Sequence, residues 1–490
     1  MAAPFMSRKT SSSPEFHDMQ GLIASAYSHL PCAAYLLLRV SNRPSSGAWL
    51  NDWATRITTA SAKQARFSLN IAFTASGLAT LGLPADALET FSFPFLEGMV
   101  DQRRSRILGD FDNSDPQYWH WGGPLNERVD MILLAYAIDD DELATRLNEI
   151  RESVAHSGGI TEVLQLDASR QSDNREHFGF ADGIGQPTIG GGGPFAHQHE
   201  KQLERTSHAT LLKPGEFILG YADESGQVAN LPTLAWADDL SRALPPVPEP
   251  SGRTALGSNG SYLVFRQMAQ HVAEFWNCFE NAARLPNGRS DAAERELLAA
   301  KAIGRWKSGA PLVLAPDNDN PALHDRNDFA YTCDNHGLKC PIGAHIRRAN
   351  PRDSLDHDHP DAALHSVRRH RLLRRARSYG KRADDPFVDD GKARGLHFIC
   401  LVADLERQFE FVQQTWIHNP AFAGLNRETD PLIGARVAPA HFTAPATPVR
   451  RRVHGLSHFI TVRGGAYFFL PGLRALRCLA GIAVANRERL

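Results

Sequence analysis

Three groups of side chains in this 490-residue chain have types and spacing that could do chemistry together. Asp182 lies in the run Gly-Phe-Ala-Asp-Gly at 179–183, where a carboxylate could accept and return a proton. His345 begins the run His-Ile-Arg-Arg-Ala-Asn-Pro-Arg at 345–352, and its imidazole is a metal-ligand type. Arginines are dense at 368–377, where a permanently charged guanidinium could stabilise developing negative charge. The chain therefore offers a proton acceptor, a metal ligand and a fixed positive charge.

The motif around Asp182 also has a purely conformational interpretation. Its glycines permit a tight turn and a close approach to a flat ligand, and Asp182 could simply bond its own backbone in an Asx turn. Four consecutive glycines at 190–193 suggest a phosphate loop, but no Gly-Lys-Ser/Thr follows them and no Gly-x-Gly-x-x-Gly pattern is present. The residues alone leave Asp182 open between a turn residue and an acid–base group.

A zinc site is the main alternative for His345. Together with Cys333, His336 and Cys340 it has ligand types and spacing that tetrahedral zinc accepts. A second run of ligand types, Asp-His-Asp-His-Pro-Asp at 356–361, places them at consecutive loop positions that point in different directions. We interpret that run as a solvated loop.

Composition and charge narrow the class of protein. With 42% hydrophobic and 22% charged residues, the chain has the composition of a soluble globular protein with two or three domain cores. Its 53 basic and 55 acidic residues nearly balance, so no overall field draws in nucleic acid or an anionic membrane. The basic run at 368–377 also lacks interleaved aromatic residues, which argues against a nucleic-acid patch.

The N-terminal residues and the apolar runs predict the cellular location, and the cysteine spacing predicts whether the thiols are free. Residues 1–13 are polar and lack the apolar core of a secretory signal, and no apolar run reaches the roughly 18 residues that span a bilayer. Six scattered cysteines have no framework spacing, which favours free thiols. We expect a cytoplasmic protein without a membrane or nucleic-acid partner.

The sequence predicts a mixture of helices and strands to carry the candidate site residues. Apolar runs predict strands at 33–38, 130–137 and 396–402, and helical patterns lie at 72–83, 139–154 and 265–284. A polar stretch at 194–212 is the best boundary between two units. The prediction is an α+β protein with domains at 1–210 and 211–490.

The motifs together resemble the dye-decolorizing peroxidase family, whose patterns are Gly-x-x-Asp-Gly and His-Ile-Arg-x-x-Asn-Pro-Arg. Further runs similar to family signatures, in family order, lie at 18–23, 72–78, 259–264 and 395–398. The resemblance covers most of the chain. It implies two ferredoxin-like domains of the dimeric α+β barrel type, each a mostly antiparallel sheet with packed helices. It also implies one haem b per chain in the C-terminal domain.

The resemblance assigns roles on the distal side of the haem. Asp182 becomes the acid–base residue that moves a proton between the two oxygens of hydrogen peroxide. The distal arginine is expected five residues before a Tyr-Gly pair, which selects Arg374 before Tyr379. Because the chain carries Arg377-Ser378 where the family favours Ile-Pro, Arg375 stays open.

On the proximal side the resemblance makes His345 the iron ligand. Such a histidine should donate its other ring N–H to a carboxylate, which raises its basicity. Asp430 stands at the family position for this partner, with Asp404 as the alternative. Arg347 and Arg352 could pair with haem propionates, or be surface arginines.

Three further residues are expected against the cofactor. Gly183 would let the backbone approach the haem closely. Leu396 and Phe398, alternate residues of one strand, would wall the distal pocket and keep it dry.

The implied function is reduction of hydrogen peroxide with one-electron oxidation of dyes, phenols and aromatic amines. A homodimer stays open as the assembly. Electrons from bulky donors could pass through Tyr379, Trp416 or Tyr467. Two alternatives stay open: a haem-handling protein for storage or iron release, and a zinc-binding interaction protein.

Overall fold

The computed structural model describes residues 13–61, 64–195, 211–235, 239–247, 252–435 and 440–485. The strands in these ranges are β1 (Cys32–Val40), β2 (Phe67–Phe73), β3 (Met131–Ala137), β4 (Ile160–Ser169), β5 (Thr188–Ile189), β6 (Leu211–Leu212), β7 (Leu234–Ala235), β8 (Arg253–Thr254), β9 (Ser261–Gln270), β10 (Leu373–Arg374), β11 (Arg377–Tyr379), β12 (Gly395–Val402), β13 (His441–Ala444), β14 (Arg451–His454) and β15 (Ile460–Leu470).

The α-helices are α1 (Gly21–Ala24), α2 (Arg43–Trp53), α3 (Ala75–Thr80), α4 (Ala85–Leu88), α5 (Phe93–Glu97), α6 (Gln102–Leu108), α7 (Asp140–Ser157), α8 (Asp239–Arg242), α9 (Val272–Ala282), α10 (Ala292–Ile303), α11 (His345–Ala349), α12 (Pro360–Arg368) and α13 (Leu473–Val484). Two π-helical segments, Leu405–Glu410 and Val412–Ile417, follow β12. No described helix combines the length and the apolar character that crossing a membrane would require.

The first four strands form an antiparallel sheet in the order β4-β1-β3-β2. Helix α2 lies between β1 and β2 in the chain, and α7 lies between β3 and β4. Asp139 caps α7 by accepting a hydrogen bond from the Glu142 N–H, and Gly158 ends it in the left-handed conformation. The sequence of elements and the strand order are those of a ferredoxin-like fold.

The later strands repeat this arrangement. They pair in the order β15-β9-β12-β11, with the short β10 also paired to β12. Helices α9 to α12 separate β9 from β10, and the π-helical segments separate β12 from β15. The α+β class with ferredoxin-like halves is confirmed. The predicted boundary near 210 stays a prediction, because residues 196–210 lie outside the described ranges.

The two sheets join along both edges to form a closed barrel. Phe73 of β2 pairs with Phe469 of β15, and Ser169 of β4 pairs with Ser378 of β11. The interior is filled by alternate residues of both sheets; for example, the ring of Tyr35 lies 5.5 Å from that of Phe265. Closure leaves neither sheet with a long free edge at these positions.

Both faces of the barrel wall are buried. Residues between the interior positions, such as Leu36 and Leu133, face outward and pack with Trp49 of α2, Ile150 of α7 and other helical residues. Because both faces are buried, the strand sequences are continuous apolar runs and do not alternate between apolar and polar residues.

The same burial accounts for one wrong prediction. The helical pattern at 265–284 contains the second half of strand β9, and the helix α9 begins only at Val272. Leu263 and Phe265 face the barrel interior while Tyr262 and Val264 face the outer helices. A strand that is apolar on both faces cannot be distinguished from a buried helix by periodicity.

Candidate active site

Asp182 stands at the end of a tight hairpin between β4 and β5. The Glu176 N–H donates to the Phe180 carbonyl at 3.0 Å, and the Asp182 N–H donates to the Asn174 carbonyl at 2.9 Å. The turn needs the positive φ of Gly179, +95°, which a residue with a Cβ rarely adopts. The Asp182 side chain is exposed beyond the hairpin. The motif therefore presents a carboxylate from a rigid turn.

Aromatic packing holds this hairpin against helix α9. The rings of Phe178 and Phe275 stack with their centroids 4.4 Å apart. The Trp276 Nε1–H donates to the Phe178 carbonyl at 3.2 Å, and its ring lies parallel to that of Phe180. These contacts fix the backbone immediately before Asp182.

Arg374, on β10, lies beside the same segment. Its Nη2 donates to the Ile184 carbonyl at 2.8 Å, and its backbone N–H donates to Gln186 Oε1 at 3.0 Å. Burial lowers the pKa of the Arg374 guanidinium, and the negative charge of Asp182 opposes that shift. A fixed positive charge and the exposed carboxylate are thus electrostatic neighbours.

Arg375 contacts a different part of the molecule. Its Nε donates to the Leu22 carbonyl and its Nη2 to the Ile23 carbonyl, both at 2.7 Å. Successive side chains of an extended chain point to opposite sides, so only one of two neighbouring arginines can face the Asp182 hairpin. The structure places Arg374 there.

Leu396 and Phe398 lie on the wall next to Arg374. Arg374 pairs across the sheet with Cys400, and Phe398 and Leu396 share the outer face of β12 with Cys400. Both residues are half-buried, and the ring of Phe398 lies 6.1 Å from that of Phe409 in the π-helical segment. They supply an apolar surface beside the charged groups.

His345 begins helix α11 and is held by a carboxylate. Its Nδ1 lies 2.9 Å from Asp430 Oδ2, and the other Asp430 oxygen accepts the N–H groups of Leu432 at 2.9 Å and Ile433 at 3.0 Å. Asp430 is fully buried, and burial alone would raise the pKa of its carboxyl. Its contacts with His345 and Ile433 and the nearby Arg348 charge nevertheless lower that pKa to about 2.

The ionised Asp430 determines which ring nitrogen of His345 is available. A carboxylate only accepts hydrogen bonds, so Nδ1 carries a proton and Nε2 is the ring nitrogen left to bind a metal. The His345 side chain is 28% exposed, so Nε2 can be reached. Asp404, the alternative partner, instead accepts the Arg407 N–H at 3.0 Å as the cap of the π-helical segment.

Arg347 and Arg352, the two arginines expected to contact the propionates, are both buried among protein acceptors. Arg347 Nη1 donates to Cys340 O at 2.8 Å and lies 3.3 Å from Asp334 Oδ2. Arg352 Nη2 donates to Asn327 Oδ1 at 2.6 Å, and its guanidinium lies 3.9 Å from the centre of the Phe329 ring. Arg347 thus has a carboxylate partner, whereas the described hydrogen-bond acceptors of Arg352 are neutral.

Arg352 belongs to a group of four arginines gathered around the loop after Asp182. This arginine cluster consists of Arg305, Arg352, Arg371 and Arg374. Arg371 Nη2 donates to the Gly185 carbonyl at 2.8 Å, and Arg305 Nη2 lies 3.3 Å from the Asn327 Oδ1 that Arg352 also contacts. Within the described part of the chain none of the four forms an ion pair.

The cluster is buried, and none of its arginines is paired with an acid at ion-pair distance in the described structure. Asp182 acts on Arg374, and Asp328 and Asp353 act on Arg352, only over longer distances. Burial lowers the pKa of Arg371 to about 9 and that of Arg305 to about 10, and the neighbouring Arg352 charge adds to both shifts. Such a concentration of positive charge is unfavourable unless an anion joins it. Arg305 and Arg371 were not predicted from the sequence, since nothing local distinguishes them from other arginines.

One apolar cluster connects the two sides of the site. It contains Phe180, two residues before Asp182, and Ala344, which precedes His345. It also contains Leu432, two residues after Asp430. The proximal and distal residues, far apart in the chain, therefore pack around a common core.

The zinc site is not formed. Cys333 is exposed, Cys340 is fully buried, and His345 contacts Asp430 instead of a cysteine. Over the ranges that the structure describes, no three His, Cys, Asp or Glu side chains are grouped to hold a metal ion. The zinc alternative is therefore not borne out there.

Comparison with known proteins shows the family. No family model matches the chain. The dye-decolorizing peroxidase msp1 of Mycetinis scorodonius is 31% identical over 458 residues, covering 88% of this chain and 79% of the relative. The multifunctional dye peroxidase DyP2 of Amycolatopsis sp. is 30% identical over 429 residues, covering 84% and 82%. This chain belongs to the dye-decolorizing peroxidase family.

A solved structure supports the same family assignment. A dye-decolorizing peroxidase in complex with 2,6-dimethoxyphenol is 26% identical, with a TM-score of 0.74 over 96% of this chain and 99% of that one. The protein is accordingly a peroxidase, an oxidoreductase that uses peroxide, and a haem cofactor is expected for this family.

Proposed function

We propose that the protein binds one haem b per chain, reduces hydrogen peroxide, and oxidises dyes, phenols and aromatic amines in one-electron steps. Family membership supports the reaction class. The observation that carries the assignment of the site is the 2.9 Å contact between His345 Nδ1 and the buried Asp430, because it leaves a strongly donating Nε2 for iron.

The residues present fit haem b. Its iron needs one imidazole from the protein, which His345 would supply, and its two propionates need cations, which Arg305, Arg352 and Arg371 of the arginine cluster would supply. Gly183 adds room for a flat group, since no described atom lies within 4 Å of the position that a Cβ would take there. We assign Arg352 to the propionates as predicted, but not Arg347, whose charge is already met by Asp334.

The chain's own side chains then divide the work of peroxide reduction. When bound, the haem iron supplies the redox centre for peroxide and for the aromatic donors. Asp182 takes a proton from one peroxide oxygen and returns it to the other, which leaves as water. Arg374 stabilises the negative charge that develops as the O–O bond breaks. Leu396 and Phe398 exclude bulk water and so strengthen that interaction.

Aromatic donors are proposed by likeness to relatives, one of which was solved with 2,6-dimethoxyphenol. Of the three side chains predicted to pass electrons from bulky donors, Trp416 and Tyr467 are buried, whereas Tyr379 is half-buried. Tyr379 is the best candidate for contact with a donor at the surface. The homodimer stays a prediction.

The test is the visible spectrum of the purified protein before and after peroxide. His345→Ala should lose most of the haem and its Soret band, since the axial bond is removed. His359→Ala is the matched control, because that histidine lies 74% exposed in a loop. Full haem retention with an unchanged spectrum in His345→Ala would eliminate His345 as the ligand. A haem-loaded wild type that fails to oxidise dye would favour the haem-handling alternative.

A further inference from the structure

Glu176 lies at the base of the Asp182 hairpin and accepts three hydrogen bonds. Its Oε2 accepts the Phe178 N–H at 2.8 Å and the Gln270 side-chain amide at 2.6 Å, and its Oε1 accepts the Phe180 N–H at 2.9 Å. The two N–H groups belong to the turn, and Gln270 belongs to β9 of the barrel wall. The Glu176 carboxyl therefore holds the turn of the hairpin together and also links the hairpin to the barrel wall.

Among the described residues, no cation forms an ion pair with Glu176. Arg382 lies close enough to interact with it electrostatically, but both of its Nη atoms contact Asp173, at 2.7 and 3.0 Å. Lys307, next to the turn, is bound to Glu296 at 2.8 Å. The positive charges facing this region are thus already neutralised.

Arg394, beside His177, is paired with Asp390 at 2.6 Å. Two further titratable neighbours are His177 and Asp182. His177 contacts the Tyr379 carbonyl at 2.8 Å, and burial lowers its pKa, which favours the neutral ring. Asp182 adds a like charge on the same hairpin. Burial raises the pKa of the Glu176 carboxyl to about 7, its three hydrogen bonds oppose this, and Asp182 adds to it.

The Gln270 side-chain amide can hydrogen-bond to the Glu176 carboxyl whether that carboxyl is ionised or protonated. Its Oε1 is buried and makes no hydrogen bond in the described structure. When Glu176 is ionised, the Gln270 amide donates through Nε2. When Glu176 is protonated, a half-turn of the amide brings Oε1 to accept the new O–H, since the two amide atoms exchange places. The contact with the barrel survives the change.

We propose that Glu176 is a positioning residue for Asp182: it holds the hairpin in both of its own protonation states, and its charge on ionisation makes Asp182 a stronger proton acceptor. The physical reason is that a nearby like charge disfavours the ionised form of a carboxyl. The inference rests on the proposed role of Asp182 in moving the peroxide proton.

Infrared spectroscopy of the haem-loaded protein tests the coupling directly. The wild type should show a protonated-carboxyl C=O band that titrates away near pH 7. Glu176→Gln should lack this band, and the control Glu152→Gln, which changes an exposed acid of helix α7, should keep it. Asp182→Asn should lower the midpoint by roughly 0.5 to 1 pH unit, because the like charge is gone. A band retained in Glu176→Gln, or an unmoved midpoint in Asp182→Asn, would overturn the proposal.

Stopped-flow mixing with peroxide tests the functional consequence. The wild-type rate should show an inflection near pH 7 from Glu176. Glu176→Gln should lose this inflection; if it is kept, the proposal fails. Should Glu176→Gln not fold, Glu176→Asp retains the carboxyl and should keep both the infrared band and the inflection at a shifted midpoint.

The two proposals fail differently. If Asp182 does not move the proton, Asp182→Asn reacts with peroxide at the wild-type rate although the infrared coupling is present. If Glu176 does not act on Asp182, Asp182→Asn slows the reaction but leaves the Glu176 midpoint unmoved.

Discussion

Arg374 and Arg375 are adjacent in the chain, yet their guanidinium groups contact different parts of the molecule. Arg374 reaches the Ile184 carbonyl beside Asp182, and Arg375 reaches the Leu22 and Ile23 carbonyls. The basic run alone could not separate them, because both have the same charge and the same side chain. The two guanidinium groups are separated because successive side chains of the extended backbone at β10 point to opposite sides.

Arg374→Leu should slow the reaction with peroxide by roughly 10² to 10³, the effect of removing one preorganised charge-stabilising group. Stopped-flow mixing measures it. Arg375→Leu is the matched control and should lower stability while its rate stays close to that of wild type. The assignment is off by one residue if Arg375→Leu shows the large loss and Arg374→Leu does not.

Asp430→Asn should retain haem but raise the reduction potential of the iron. An amide holds the His345 ring in place without the negative charge that strengthens the imidazole as a donor. Spectroelectrochemical titration measures the potential. Asp404→Asn serves as the control, since Asp404 contacts the Arg407 N–H instead; a raised potential in that variant alone would refute the assignment of Asp430.

At the scale of elements, α2 can pack closely against α13 because Gly47 has no side chain. A Cβ on Gly47 would lie 2.7 Å from the Ala483 Cβ and 2.8 Å from the Ala480 carbonyl oxygen. Backbone atoms of a packed helix cannot move aside as a flexible side chain can. The close approach therefore requires glycine in the middle of α2, where helix propensity alone disfavours it.

Gly47→Ala should lower the free energy of unfolding by about 1–3 kcal/mol, because overpacking outweighs the roughly 1 kcal/mol gain in helix propensity. Urea denaturation measures the change. Gly190→Ala is the control: its nearest neighbour would be the Leu212 carbonyl oxygen at 3.5 Å, an ordinary contact. Equal stability of the two variants would show that α2 and α13 can separate without loss.

At the scale of the molecule, the two ferredoxin-like halves share one interior. Leu134 of β3 and Leu263 of β9 belong to the same buried cluster, although they come from different sheets. Neither sheet can bury its inner face without the other. The halves should therefore be one cooperative unit.

Hydrogen exchange at increasing urea should accordingly give one unfolding midpoint for peptides from β3 and from β9. Leu134→Ala should lower both midpoints together, by an amount equivalent to about 2–5 kcal/mol, since it opens a cavity in the shared interior. Protection of β3 that outlasts protection of β9 would show two independent domains.

Local features of this protein could be predicted from the sequence alone. The glycines around Asp182 require a tight turn, the runs at 33–38 and 130–137 form strands, and the acid-rich start of α7 forms a helix end. Each depends on residues within a few positions of one another, where conformational preference is enough. The resemblance to a known family then supplied His345 and Asp430 as partners, which local rules could not.

Long-range contacts were decided by the tertiary structure. The arginine cluster draws on positions 305, 352, 371 and 374, and the bond between Glu176 and Gln270 joins residues 94 positions apart. Neither has a local signal, because each arises only when the strands close into a barrel and bring distant segments to one edge. Burial, which sets the charges of Glu176 and the arginines, likewise exists only once the chain has closed around them.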